Sequence, residues 1–433
     1  MLMYPNTHHT RLLRAASAFL ASVLLFLTVS GVLSSGFCCA AAEAPSHQIG
    51  VPWDRNGKGW SPAQSGEVLC PAGDASLPAA LTGVSARGAV LMEAESGEVV
   101  FGQNQNARLP MASTTKIMTA LVALESLPAD TPIRITAASV GVEGSSIYLC
   151  EGEVLTLEQL LYALLLESAN DAATAIAIAV AGSVEGFADR MNERAASLGL
   201  TNTHFVNPHG LDHEEHYTTA YELALITRAA LENPSFRGIC ATERKVIPLR
   251  GDEGARLLLN HNKLLDAYEG CIGVKTGFTK RTGRCLVSAA QREGVTLIAV
   301  TLNAPDDWRD HTAMLDYGFA LYESIPLCEA GFFSAPLWLV SGTQEYVMAE
   351  NTDALAVTLR RDHGNIRCVV ELPRFAFAPV QAGQEVGQLR FFEETPNGSS
   401  VDLGTVPLKA AYSVDEVTYP PSMWEWIRNL FRT

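Results

Sequence analysis

Strand-forming and helix-forming segments are segregated along this chain, and that segregation restricts its fold more than any other feature. Two apolar runs in "ARGAVLMEAESGEVVFGQN" flank a turn signal at Glu95-Ser96-Gly97 and read as a β-hairpin. Segments with helical spacing follow: "STTKIMTALVALES", "TLEQLLYALLLES", "DAATAIAIAVAGS", "VEGFADRMNERAASLGL" and "TAYELALITRAALEN". The third is apolar nearly all round, the pattern of a buried central helix. Strand signals return in "CIGVKTGF", "GRCLVSAAQ" and "VTLIAVTLN", each bounded by turns. Further on, "APLWLVSG", "EYVMAE", "ALAVTLRRD", "IRCVVELP" and "VGQLRFFE" are short alternating strands at regular spacing, which suggests a small all-β domain. This order of elements is that of an α+β chain.

The first 42 residues read as a targeting segment. Arg11 and Arg14 precede "AASAFLASVLLFLTVSGVLSSGFCCAAA", which carries no charge before Glu43. A basic start, an apolar stretch and small residues before Glu43 make a secretory signal peptide. The apolar run also exceeds the ~20 residues that a membrane span needs, so a retained anchor is the alternative. Phe37 precedes Cys38, so there is no lipoprotein cleavage box. Residues 43–82, rich in Pro, Gly, Ser and Ala, read as a linker.

At 433 residues, with 48% hydrophobic and 18% charged content, the chain has material for more than one packed core. Its formal charge of −16 excludes nucleic acid as a partner, and loss of Arg11 and Arg14 would make it two charges more negative. Cys38 and Cys39 leave with the leader. Cys70, Cys150, Cys240, Cys271, Cys285, Cys328 and Cys368 are scattered, with no C-x-x-C and no histidine at metal spacing. No metal or other cofactor is expected, and buried free thiols are the default reading.

Three short motifs carry chemistry. Ser113 and Lys116 stand at positions i and i+3 of a helix start, so they share a face. Desolvation lowers a lysine pKa, and a neutral lysine can take the proton of a serine hydroxyl. Backbone N–H groups at a helix start can hold an oxyanion. The plain alternative is a capping serine and a solvated lysine. In "LLLESANDAATA", Ser168 and Asn170 sit at a break between two apolar helices, where buried polar groups need partners. The alternative is a helix cap by Asn170 or Asp171. In "CIGVKTGFT", Lys275 and the Thr276 hydroxyl offer a charge and a donor to a carboxylate, and Gly277 permits close approach to the backbone. The alternative is a solvated turn. Each motif alone is weak; the ordered set S-x-x-K, S-x-N, K-T-G is specific.

The chain resembles the low-molecular-mass penicillin-binding proteins, the D-alanyl-D-alanine carboxypeptidases of the S11 serine peptidase type. The resemblance runs from about Ala86 to about Asp415. It rests on "MASTTKIMTA", "FVNPHGLDHEEHYTTAYELA", "GVKTGFTKRTGRCLVSAAQREGVTLIAVTLNAPDD" and "APVQAGQEVGQLRFFE". It implies a transpeptidase-like catalytic domain over 83–328, an antiparallel sheet with a helical cluster, and a β-rich domain over 329–417. Ser-Ala-Asn departs mildly from a motif whose middle residue is commonly Gly.

By this resemblance Ser113 would attack the carbonyl between two D-alanines of a peptidoglycan stem peptide, with Lys116 as its base. Ser168 would relay a proton to the leaving amine, and Asn170 would hold Lys116 and the substrate amide. Lys275 and Thr276 would bind the terminal carboxylate. Gly277 would line the site, and the N–H groups of Ser113 and Phe278 would form the oxyanion hole. Arg309 is a further candidate carboxylate ligand, and His209 reads as a turn and packing residue. β-Lactams would be covalent inhibitors. A serine β-lactamase, a D,D-endopeptidase and a non-catalytic wall scaffold are the competing functions; no glutamate stands in a lactamase-like loop context. The expected location is the outer face of the bacterial cytoplasmic membrane.

The tail "YPPSMWEWIRNLFRT" adds a membrane argument. After Pro420 and Pro421, Ser422 can cap a helix on which Met423, Trp424, Trp426, Ile427, Leu430 and Phe431 share an arc of roughly 160°. The helix over 419–433 is too short to span and suits the headgroup plane. Docking on the β domain is the alternative.

Overall fold

The computed structural model describes residues 67–73, 77–250, 254–395 and 398–418. The leader over 1–42, much of the linker and the tail helix over 419–433 lie outside the described residues.

The hairpin and the late strands join one five-stranded antiparallel sheet. Its order is Val99–Gln103, Gly88–Glu93, Val295–Leu302, Gly283–Arg292, Cys271–Thr279. Gly88–Glu93 and Val295–Leu302 are buried almost without interruption because both faces of the sheet are covered. Alternate residues point opposite ways. Val90, Met92, Ile298 and Val300 pack into the helical cluster. Leu91, Leu297 and Ala299 meet Met314 and Leu315 of the Asp307–Leu321 helix behind the sheet.

The helical cluster is Lys116–Ser126, Leu157–Leu166, Asn170–Ala181, Val184–Ser197, Ala220–Leu231 and Pro234–Cys240. Its starts are locally encoded. Thr156 and Gln159 form a capping box, Ser183 and Thr219 cap the next two long helices, and Asn233 caps the last with Pro234 in its first turn. Two starts lack a side-chain cap: Lys116–Ser126 and Asn170–Ala181. The cap expected from Asn170 or Asp171 is absent, because Ala169 holds the cap position and both polar side chains are used elsewhere. These two exceptions carry the site.

A hairpin that the sequence reading missed, Arg244–Leu249 with Gly254–Leu259, lies over the cluster. Apolar residues stand on both of its faces, Ile247 and Leu258 buried and Val246 and Leu257 exposed, so it lacks the alternation that marks a strand. Arg256 ties it down, donating to both carboxylate oxygens of buried Glu153.

The β-rich part is a seven-stranded sheet, ordered Glu67–Cys70, Asn365–Glu371, Glu385–Glu394, Ser400–Ala410, Tyr346–Asn351, Ser334–Val340, Phe375–Phe377. Only the last pairing is parallel among the described strands. Two boundaries read from sequence shift. Glu67–Cys70, expected within the linker, is an edge strand of this sheet. Tyr322–Cys328, expected within the catalytic domain, pairs with Leu355–Arg360. Strand pairing, not local composition, decides both. Cys70, Cys150, Cys240, Cys271, Cys285 and Cys328 are free thiols.

Candidate active site

The Lys116 helix opens with a 3-10 turn, Ala112–Thr115, that presents Ser113. Lys116 is fully buried. Its Nζ lies 3.0 Å from Ser113 Oγ, 2.7 Å from Asn170 Oδ1 and 2.6 Å from the His209 carbonyl. Burial drives its pKa well below the ordinary lysine range, the nearby charge of Lys275 lowers it further, and Asp171 opposes both. A neutral amine has two hydrogens and one lone pair. Asn170 Oδ1 and the His209 carbonyl are acceptors only, so they take the two hydrogens. The lone pair is then left facing the Ser113 hydroxyl.

Asn170 is held in turn. Its Nδ2 donates to the Glu143 carbonyl at 2.6 Å, and its backbone N–H donates to Ser145 at 2.7 Å. These contacts fix which end of the amide faces Lys116. Asp171 gathers the same loop, accepting from the Ser146 hydroxyl and from the N–H groups of Ile147 and Leu149. Ser168, before the helix, is buried and has a positive φ of 60°. Its hydroxyl has no hydrogen-bond partner among the described residues. Ala169 has an ordinary φ of −64°, so the alanine in Ser-Ala-Asn is tolerated.

The edge strand Cys271–Thr279 runs against the Ser113 turn. A Cβ on Gly277 would sit 3.1 Å from the Ser113 nitrogen, so this contact requires glycine or a shift of the backbone. Lys275 is buried and donates to the Thr276 carbonyl at 3.0 Å. Burial lowers its pKa to about 7, against a smaller raising effect of Glu167. Thr276 is half-buried, and the Phe278 ring is exposed. Asp212 closes the far end, accepting from the hydroxyls of Thr279 and Thr282.

Three segments far apart in sequence thus meet around one serine. The D-alanyl-D-alanine carboxypeptidase family model matches residues 75–306. The chain belongs to the S11 peptidase family. It is 33% identical over 314 residues to D-alanyl-D-alanine carboxypeptidase DacF of Bacillus subtilis, covering 70% of this chain and 80% of that protein. It is 32% identical over 370 residues to DacC of Escherichia coli, covering 80% and 89%. Penicillin binding protein 5 of Haemophilus influenzae superposes with a TM-score of 0.57 at 25% identity, covering 78% of this chain and all of that one.

In this S11 chain, Ser113, Lys116 and Asn170 form one bonded cluster, with Lys275 and Gly277 beside it. The Arg309 side chain is 70% exposed and pairs with Asp306, beside the start of the Asp307–Leu321 helix. The sequence reading missed the His209 carbonyl and Glu143. Both act through the main chain, which side-chain identity does not report. The "NPHG" turn was the signal available, since a turn exposes carbonyls.

Proposed function

We propose that this S11 enzyme removes the terminal D-alanine from peptidoglycan stem peptides ending in D-Ala-D-Ala, through an acyl-ester on Ser113. The observation that carries the reading is the buried Lys116 amine, 3.0 Å from Ser113 Oγ, with both of its other contacts to acceptors. Lys116 takes the hydroxyl proton as Ser113 Oγ bonds to the penultimate D-alanine carbonyl carbon. The N–H groups of Ser113 and Phe278 hold the oxyanion. The C–N bond breaks, Ser168 passes a proton to the leaving D-alanine amine, and water hydrolyses the ester. Lys275 and Thr276 bind the terminal carboxylate. A β-lactam acylates the same hydroxyl.

Export through the 1–42 leader and membrane attachment through the 419–433 helix complete the proposal. Both rest on sequence pattern, and together they place the site outside the cytoplasmic membrane. The primary test is Ser113→Ala with a fluorescent penicillin and with D-alanine release. Both labelling and release should vanish while thermal unfolding is retained. Labelling that survives in this variant refutes the assignment. Rapid hydrolysis of the drug by the native enzyme would instead identify a β-lactamase.

A further inference from the structure

Ala112, immediately before Ser113, is in the left-handed region with φ 47°. Its carbonyl belongs to the same peptide unit as the Ser113 N–H. A peptide is planar, so whatever holds the Ala112 oxygen also sets the direction of the Ser113 N–H. Two things hold it. The Thr115 hydroxyl donates to Ala112 O at 2.7 Å. Gly210 packs directly on it: a Cβ there would fall 1.9 Å from the oxygen.

The Thr115 hydroxyl is itself fixed from outside the turn. His216 Nε2 lies 2.8 Å from Thr115 Oγ1. The Val206 N–H donates to His216 Nδ1 at 3.1 Å, so Nδ1 is the acceptor and Nε2 carries the hydrogen. His216 is 3% exposed, and its ring sits edge-on to Phe205 at 5.8 Å. The chain of donors therefore runs Val206 N–H, His216, Thr115, Ala112 O. Neighbouring Thr114 makes a similar local bond, to Met111 O at 2.6 Å, but no outside hydrogen-bond donor reaches its hydroxyl among the described residues.

We propose that Thr115 and His216 are positioning residues for this reaction: through the Ala112 carbonyl they aim the Ser113 N–H at the oxyanion. The inference rests on Ser113 being the nucleophile with its own N–H in the oxyanion hole. An oxyanion donor strengthens its bond as charge develops, so misaiming it slows chemistry more than ground-state binding.

The experiment compares Thr115→Val, Thr115→Ser, His216→Phe and the Thr115→Val/His216→Phe double variant. Stopped-flow acylation by a fluorescent penicillin supplies the rate at saturation and the half-saturating concentration, and thermal unfolding confirms the fold. Thr115→Val should lower the saturating rate on the order of tenfold, with half-saturation changed less than about twofold. Thr115→Ser, which keeps the hydroxyl, should restore most of the rate. The double variant should be no slower than Thr115→Val, because the two residues act as one unit. Normal acylation by Thr115→Val, no rescue by Thr115→Ser, or multiplied losses in the double variant would each overturn the proposal. If Thr115→Val does not fold, His216→Phe decides alone: a slowed saturating rate with unchanged half-saturation supports it, and a normal rate overturns it. Failure of Ser113→Ala to abolish labelling is a separate result, and it would remove the nucleophile assignment itself.

Discussion

Replacing Lys275 by methionine should make the protein more stable and less active. Lys275 is 1% exposed, and burial lowers its pKa from 10.5 to about 7. Each pKa unit corresponds to about 1.4 kcal/mol. Keeping the cation inside therefore costs the folded state about 5 kcal/mol below pH 7. Methionine has similar length and no charge. It forfeits the hydrogen bond to the Thr276 carbonyl, worth about 1 kcal/mol, and relaxation around the native lysine reduces the penalty further. A net gain of about 2–4 kcal/mol at pH 6 is expected. The pH dependence has a definite sign. Between pH 7 and 10.5 the unfolded lysine holds a proton that the folded one has lost, so native stability rises with pH in this window. The advantage of Lys275→Met should be full below pH 7 and disappear near pH 10.5. Urea unfolding of both proteins at pH 6 and pH 9, followed by intrinsic fluorescence, measures it. A variant less stable than the native protein at pH 6, or an equal gain at both pH values, would refute the reasoning.

Three further outcomes are expected. Arg256→Ala removes the guanidinium partner of the buried Glu153 carboxylate, leaving it the N–H groups of Cys150 and Arg250, and should destabilise by about 3 kcal/mol, read as a fall in unfolding midpoint; a change under about 1 kcal/mol would show that water reaches Glu153. Amidating the terminal D-alanine of a substrate removes the carboxylate proposed to face Lys275 and should lower kcat/KM tenfold or more, on the order of 1.5–3 kcal/mol; indifference would favour endopeptidase action on cross-links. Deleting residues 419–433 should weaken flotation with anionic vesicles, and equal flotation of both forms, or unfolding of the shorter one, would make the tail a packing element.

Much of the catalytic fold was legible because its signals are local. The helix starts at Thr156, Ser183, Thr219 and Asn233 are capped by their own neighbours. The hairpin around Glu95-Ser96-Gly97 closes within a few residues. The S-x-x-K spacing brings Ser113 and Lys116 together within one turn. What escaped was non-local or lacked a periodic signal. The Glu67–Cys70 strand exists because Asn365–Glu371 offers it an edge. The hairpin of Arg244–Leu249 and Gly254–Leu259 carries apolar residues on both faces, Ile247 and Leu258 buried and Val246 and Leu257 exposed, so no alternation marks it.

The sequence by itself determined which residue types are present and which short segments form helix or strand, since propensity, capping and periodicity act over a few residues. It also determined the three motifs. Tertiary structure alone decided that Val295–Leu302 lies beside Gly88–Glu93, because a mostly apolar strand specifies that its faces are buried but not which strand is its neighbour. It decided that Lys116 is buried beside Lys275, and hence that its amine is poised to lose a proton. It also decided that main-chain atoms complete the site: the His209 carbonyl, the Glu143 carbonyl and the Ala112–Ser113 peptide. Every residue carries the same backbone groups, so their use depends only on where the fold brings them.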